Sequence, residues 1–200
     1  MKIAVFVSGR GSNLLAILNS QETKDIIKVE AVISDKIDCA AFEIARSHSI
    51  PTYNIGSKPG SISYSELAGI LSEIKIELIV LAGFLKLIPG EFLFEYRNRI
   101  INIHPALLPS FGGKGMYGMK VHDAVFKSSA KVSGATVHFV DENFDTGLII
   151  DQRCVDISDV KSADEIAERV LKIEHLLLPH VLRKFAEKKI HIENQRVLIY

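Results

Sequence analysis

Apolar positions along the chain follow two rhythms that take turns. Residues 2–7 form a short β-rich run that ends at Ser8-Gly9-Arg10-Gly11, and a helical stretch follows over 12–19. Residues 29–34 read as a second strand, 40–47 as a helix and 50–53 as a short extended piece. Within 63–75, Leu67, Ile70, Leu71 and Ile74 lie at helical spacing. Residues 78–82 are unbroken apolar sequence, as expected of a strand buried on both faces. Residues 100–104 form a further strand, which Pro105 stops. This alternation predicts an α/β fold: a Rossmann-like, open, mostly parallel twisted sheet with helices on both faces.

The second half departs from that rhythm. Residues 132–140 and 148–157 read as two long strands joined by an acidic turn over 141–147, which predicts an antiparallel extension of the sheet. Residues 162–188 are strongly helical, and Ser162-Ala163-Asp164-Glu165 has the spacing of a capping box. Pro179 lies inside this stretch and predicts a kink or two helices. Residues 190–192 and 196–200 fit a short hairpin. With no linker, repeat or composition shift, residues 1–200 are expected to form a single domain.

Charge and composition then remove whole classes. Lysine plus arginine and aspartate plus glutamate both number 24, so there is no basic excess of the kind nucleic-acid binders carry. The apolar runs are too short to span a bilayer, and the N-terminal one is shorter than a signal-peptide core. Two cysteines, Cys39 and Cys154, without a CxxC pair, predict a reducing, cytoplasmic setting. No metal-ligand spacing occurs, so no metal is expected.

The first glycine loop, Ser8-Gly9-Arg10-Gly11-Ser12-Asn13-Leu14, joins a strand to a helix. Free backbone N–H groups and the helix dipole there favour an anion. It lacks the Gly-Lys-Ser/Thr of a Walker loop, and Leu14 stands where a dinucleotide fingerprint needs its third glycine. A single phosphate therefore fits better than a pyrophosphate. The alternative is an ordinary turn with Ser12 or Asn13 as N-cap. A second cluster, Gly113-Lys114-Gly115-Met116-Tyr117-Gly118, matches GxGxxG in letters but follows loop rather than strand, and reads as a mobile loop beside the site, its role open.

Asn102 and His104 lie on one side of a strand end, where open α/β sheets place their sites. Asn102 offers an uncharged N–H donor, and His104 a donor, acid or base near neutral pH. Both suit acyl transfer, where negative charge gathers on a carbonyl oxygen. Asp145 could reach His104 and would then favour the imidazolium and raise its pKa. The alternatives are a satisfied core histidine, an Asn102 that caps a loop, and an Asp145 that serves its turn. His138 could line the site, while His122 and His175 read as structural. No nucleophile for covalent catalysis stands out.

Taken in order, four segments resemble the folate-dependent glycinamide ribonucleotide (phosphoribosylglycinamide) formyltransferases. They are Ser8 to Leu14, Leu81-Ala82-Gly83-Phe84-Leu85-Lys86-Leu87-Ile88, Asn102-Ile103-His104-Pro105-Ala106-Leu107-Leu108-Pro109-Ser110-Phe111 and Gly134-Ala135-Thr136-Val137-His138-Phe139-Val140. The resemblance covers essentially the whole chain, and its short length separates it from the methionyl-tRNA formyltransferases and formyltetrahydrofolate hydrolases, which carry an extra domain. It implies the formyltransferase fold and transfer of a formyl group from 10-formyltetrahydrofolate to the amine of glycinamide ribonucleotide, in purine synthesis, without a metal. By matching positions, Gly11, Ser12 and Asn13 would hold the substrate phosphate and Glu174 its ribose. Leu85, Lys86, Leu87 and Ile88, together with Asn102, Asp141, Glu142 and Asp145, would hold the folate. Asn102 and His104 would stabilise the tetrahedral oxyanion, with Asp145 keeping His104 charged and assisting proton movement. Lys86 replaces a frequent arginine, keeping the charge but losing the planar fork, and the stretch around Lys58 lacks another. No nucleic-acid or membrane partner is implied, and a homodimer is left open.

Overall fold

The computed structural model describes residues 1–200. β1 (Lys2–Val7) turns through the glycine loop into α1 (Ser12–Asn19), β2 (Lys28–Ser34) leads to α2 (Ala41–Ser47), and the short β3 (Thr52–Asn54) precedes α3 (Tyr64–Glu73). β4 (Leu78–Leu81) is followed by α4 (Gly90–Glu95), and β5 (Ile100–His104) by α5 (Met119–Lys127). Next come β6 (Val132–Phe139), β7 (Ile149–Asp156), the long α6 (Ala163–Ala186), and β8 (Ile190–Glu193) with β9 (Arg196–Ile199).

One sheet runs in the order β3-β2-β1-β4-β5-β6-β7. The strands β1 to β5 pair in parallel, and β6 and β7 add antiparallel. β8 and β9 form a separate two-stranded sheet. This is the mostly parallel sheet, antiparallel extension and terminal hairpin that the residue pattern predicts.

Alternation along β1 explains why both faces are covered, because successive side chains point to opposite sides. Ile3, Val5 and Val7 join one core with Leu14 of α1, Phe42 of α2 and Leu177 of α6. Ala4 and Phe6 join a second with Leu67 and Leu71 of α3 and Phe92 of α4.

Two local details differ from expectation. The full capping box sits on α3: Glu66 N–H donates to Ser63 Oγ at 3.2 Å, and Ser63 N–H donates to the Glu66 carboxylate at 2.8 Å. At α6 only half forms. Glu165 N–H donates to Ser162 Oγ at 3.3 Å, but the Glu165 carboxylate accepts from Lys161 instead. Of the kink or two helices expected at Pro179, the second does not occur, for α6 runs on as one element through it. Leu177, Leu178, Val181 and Leu182 are all completely buried around it. At about 1.5–3 kcal/mol for each such side chain, they outweigh a proline penalty of about 3 kcal/mol.

The strand order reverses between β1 and β4, and the crevice outside their carboxyl ends is where such sheets bind ligands. Ser8, just past β1, ties the loops there together. Its N–H donates to the Gly83 carbonyl at 3.0 Å, while its hydroxyl donates to Asp35 at 2.6 Å and accepts from Leu85 N–H at 3.1 Å. No helix is long and apolar enough to cross a membrane.

Candidate active site

A cavity of about 490 Å³ opens beside the carboxyl ends of β4 and β5. That is within the range of small-molecule sites, about 300–1,000 Å³. Asn102, His104 and Asp145 face it, as do Leu85, Lys86, Leu87 and Ile88 from the loop after β4. At its other end stand Asn13 of α1 and Glu174 of α6. Gly11, Ser12, Asp141 and Glu142 are not on its wall. The Asp141 carboxylate instead closes its own turn, accepting from Thr146 Oγ at 2.7 Å and from Asn143 N–H at 3.1 Å.

His104 is 3% exposed and reaches two partners. Its Nε2 lies 2.9 Å from the Phe111 carbonyl, and its Nδ1 lies 3.5 Å from Asp145 Oδ2. A carbonyl can only accept, so Nε2 carries hydrogen, and in the neutral ring Nδ1 is a bare lone pair facing the carboxylate. Asp145 does not hold His104 charged as the residue pattern predicts. Burial pushes the His104 pKa down and outweighs the opposing pull of Asp145 and of the Phe111 hydrogen bond. Burial also pushes Asp145 up, but hydrogen bonding from His138 and the charge of His104, each acting when its ring is protonated, and the Gly113 N–H draw its carboxyl below the usual range. The pair at rest is therefore a carboxylate beside a neutral imidazole. The separation agrees, because charge-assisted N–H···O contacts close to about 2.7–2.9 Å.

Asn102 directs its Nδ2 at His138 Nε2, 3.0 Å away, and at Asp145 Oδ1, 3.5 Å away. The residue thus stands between two acceptors, in the cavity rather than as a loop cap.

At the α1 end, Gly11 takes the N-cap position with φ 78°, and no side chain caps the helix. A Cβ there would come within 2.6 Å of the Ala41 Cβ, so glycine is required for α1 to pack on α2. Neither Ser12 nor Asn13 acts as N-cap, the alternative reading of this turn. The Asn13 amide instead donates to Glu174 at 2.6 Å, both groups being buried, and Asn13 Oδ1 has no partner. Asn13 thus offers an anion its backbone N–H, its side chain being engaged. Burial pushes the Glu174 carboxyl up to about 7, against the Asn13 hydrogen bond.

The loop over 111–118 supplies what the sequence reading left open. Phe111 gives its carbonyl to His104, and Gly113 N–H donates to Asp145 Oδ2 at 2.9 Å. Residues 113–118 then line the cavity, with no nucleotide-binding turn between strand and helix. These are main-chain contacts; the adjacent glycines Gly112 and Gly113, so close to His104, were the available signal. His138 and His122 also line the cavity, and His122 Nδ1 is buried without a partner.

Comparison with known proteins points the same way. A family model described as formyl transferase matches residues 1–182. The chloroplastic phosphoribosylglycinamide formyltransferase of Vigna unguiculata is 42% identical over 193 residues, covering 94% of this chain and 62% of that protein. The chain therefore spans less than two thirds of that relative's length. The phosphoribosylglycinamide formyltransferase of Bacillus subtilis is 36% identical over 188 residues, covering 92% of this chain and 93% of its own. Among solved structures, the phosphoribosylglycinamide formyltransferase of Anaplasma phagocytophilum superposes with a TM-score of 0.89 at 32% identity, over 100% of this chain and 94% of that one.

Proposed function

The chain belongs to the formyl transferase family, and from that premise we propose that it transfers the formyl group of 10-formyltetrahydrofolate to the amine of 5-phosphoribosylglycinamide, a step of purine biosynthesis. The observation that carries this reading is the grouping of Asn102, His104 and Asp145 on one cavity wall, with no covalent nucleophile beside them. The folate occupies the part of the cavity walled by Leu85, Lys86, Leu87 and Ile88, against the turn that ends at Asp145. The ribonucleotide lies toward α1, its ribose at Glu174 and its phosphate at the uncapped N–H groups of Gly11, Ser12 and Asn13. The free thiols of Cys39 and Cys154 fit a reducing, cytoplasmic setting.

In this reading the amine nitrogen attacks the formyl carbon, and the carbonyl electrons move onto oxygen, where an Asn102 N–H meets them. The new C–N bond makes the amine nitrogen acidic. Its proton passes to the bare Nδ1 of His104, and the Asp145 carboxylate stabilises the imidazolium so formed. His104 then presents an N–H at Nδ1, the nitrogen not committed to Phe111, and can support the oxyanion. As the bond to N10 breaks, that proton goes to N10, giving tetrahydrofolate and the formylated amide. One proton has moved from the amine to N10, and no covalent enzyme intermediate is formed.

Mixing the protein with 10-formyltetrahydrofolate and glycinamide ribonucleotide, and following folate absorbance, tests the proposal. Amine-dependent deformylation is expected. Deformylation without the amine would mark a hydrolase, and folate binding without turnover a non-catalytic binding domain; either overturns the proposal.

A further inference from the structure

We propose that His138 is a positioning residue, whose imidazole orients the carboxamide of Asn102 so that an N–H rather than the carbonyl oxygen meets the reacting formyl group. The inference rests on the function proposed above but stands on separate contacts. His138 is 2% exposed and lies on β6 directly across from Asn102 on β5. Its Nδ1 is 2.7 Å from the Phe139 carbonyl. That oxygen can only accept, so Nδ1 carries the hydrogen and the neutral ring leaves Nε2 bare.

The amide group 3.0 Å from that bare nitrogen must then be the NH2 end of Asn102, because a carbonyl oxygen there would set two lone pairs against each other. The backbone oxygen of Phe139 therefore determines, through one ring, which way Asn102 points. Nδ2 has two hydrogens, and His138 takes one of them. The other lies on the side of Asp145 Oδ1, at 3.5 Å, too far to be held firmly. It is the N–H free to shift onto an oxyanion. Were the carboxamide reversed, its oxygen would face that growing negative charge, and the donor would become a repulsion.

Replacing His138 with Gln keeps an acceptor for Asn102, whereas Leu keeps none. His138→Leu is expected to lower kcat about 10- to 100-fold, the range for a weakened oxyanion donor, with both KM values within about threefold. His138→Gln should recover about tenfold of that, and His138→Leu should cost nothing further in an Asn102→Ala background. Equal losses in Gln and Leu, or additive losses with Asn102→Ala, would overturn the proposal. A second readout needs no turnover and no variant. The 15N shifts of the His138 ring in the wild-type protein should report hydrogen on Nδ1, and the Nε2–H tautomer would refute the inference. Failure of the wild-type protein to deformylate would instead sink the proposed function and leave the tautomer result standing.

Discussion

Gly112 packs directly against Asp145: a Cβ built on Gly112 would lie 3.2 Å from the Asp145 Cβ and 2.5 Å from Leu108 Cδ2. Asp145 itself has φ 59°, in the left-handed region that few residues other than glycine, Asn and Asp enter readily. The carboxylate thus reaches His104 and Asn102 from a left-handed turn position, held in place by the missing side chain at 112 and by the Gly113 N–H.

Gly112→Ala should therefore act on chemistry as well as on folding. The new methyl group must displace Leu108 or move Asp145, at a cost of about 1–3 kcal/mol in stability. Displacing Asp145 by even an ångström lengthens a His104 contact that is already 3.5 Å. We expect kcat to fall at least about tenfold in a variant that still unfolds cooperatively, since small misplacements can cost on the order of a hundredfold. Steady-state kinetics beside urea unfolding checks this, and unchanged kcat would show that the contact with Asp145 does not matter.

The sheet and the principal polar groups were legible because side chains carry them. Ile3, Val5 and Val7 against Ala4 and Phe6 announce a strand covered on both faces, and Asn102 with His104 announces a polar strand end. What was illegible is carried by the main chain and by burial. The Phe111 and Phe139 carbonyls settle the protonated nitrogens of His104 and His138, yet any residue supplies a carbonyl. Whether burial or Asp145 wins at His104 depends on how dry the site is, and no motif records that. The unbroken α6 teaches the same lesson. Local propensity at Pro179 argues for a break, while packing decided by residues far apart in sequence overrides it.

His104 gives a pH prediction with a definite sign. Its folded pKa lies below the ordinary 6.5. The bare Nδ1 must be free to take the amine proton, so the acid limb of kcat/KM belongs below pH 6.5 rather than above it. Asp145 raises the His104 pKa, so Asp145→Asn should move the imidazole titration lower still, while kcat falls about a hundredfold or more. NMR titration of the ring in both proteins measures the shift directly. A rise in Asp145→Asn would contradict the electrostatic account. Linkage adds a stability term. The unfolded chain binds this proton first, so the stability is full above 6.5 and is lost as pH falls toward the folded value. His122, lowered by burial in the same way, acts in the same direction.

The two helix caps should separate in magnitude and leave catalysis alone. Ser63→Ala removes the hydroxyl that accepts from Glu66 N–H at 3.2 Å and donates to the Glu66 carboxylate at 2.8 Å, while the backbone N–H of residue 63 keeps its half of the box, and a loss of about 1 kcal/mol is expected. Ser162→Ala removes a single bond of 3.3 Å, and Glu165 keeps its Lys161 partner. A smaller loss follows. Urea midpoints at constant m distinguish the two, and an equal or reversed order would mean that the second bond of the Ser63 hydroxyl, to the Glu66 carboxylate, contributes nothing.

Glu174 carries the opposite pH sign to His104, and its conservative variant isolates it. Burial raises this carboxyl to about 7 from an ordinary 4.5. The folded protein thus binds the proton more tightly than the unfolded chain. The stability it contributes is full below 4.5 and is lost as pH rises through about 7. Glu174→Gln cannot ionise, yet it still offers Asn13 an acceptor in place of the 2.6 Å carboxylate contact. Variant and wild type should therefore be close in stability near pH 4.5 and diverge above it. By pH 8 the variant should be the more stable, by on the order of 3 kcal/mol at the upper end. The same change weakens the acceptor proposed for the ribose hydroxyls, so KM for the ribonucleotide should rise while KM for the folate stays put. Stabilisation bought at the expense of substrate affinity is what a buried carboxyl kept for binding predicts. A stability gap that does not vary between pH 4.5 and 8 would show that Glu174 does not titrate in this range.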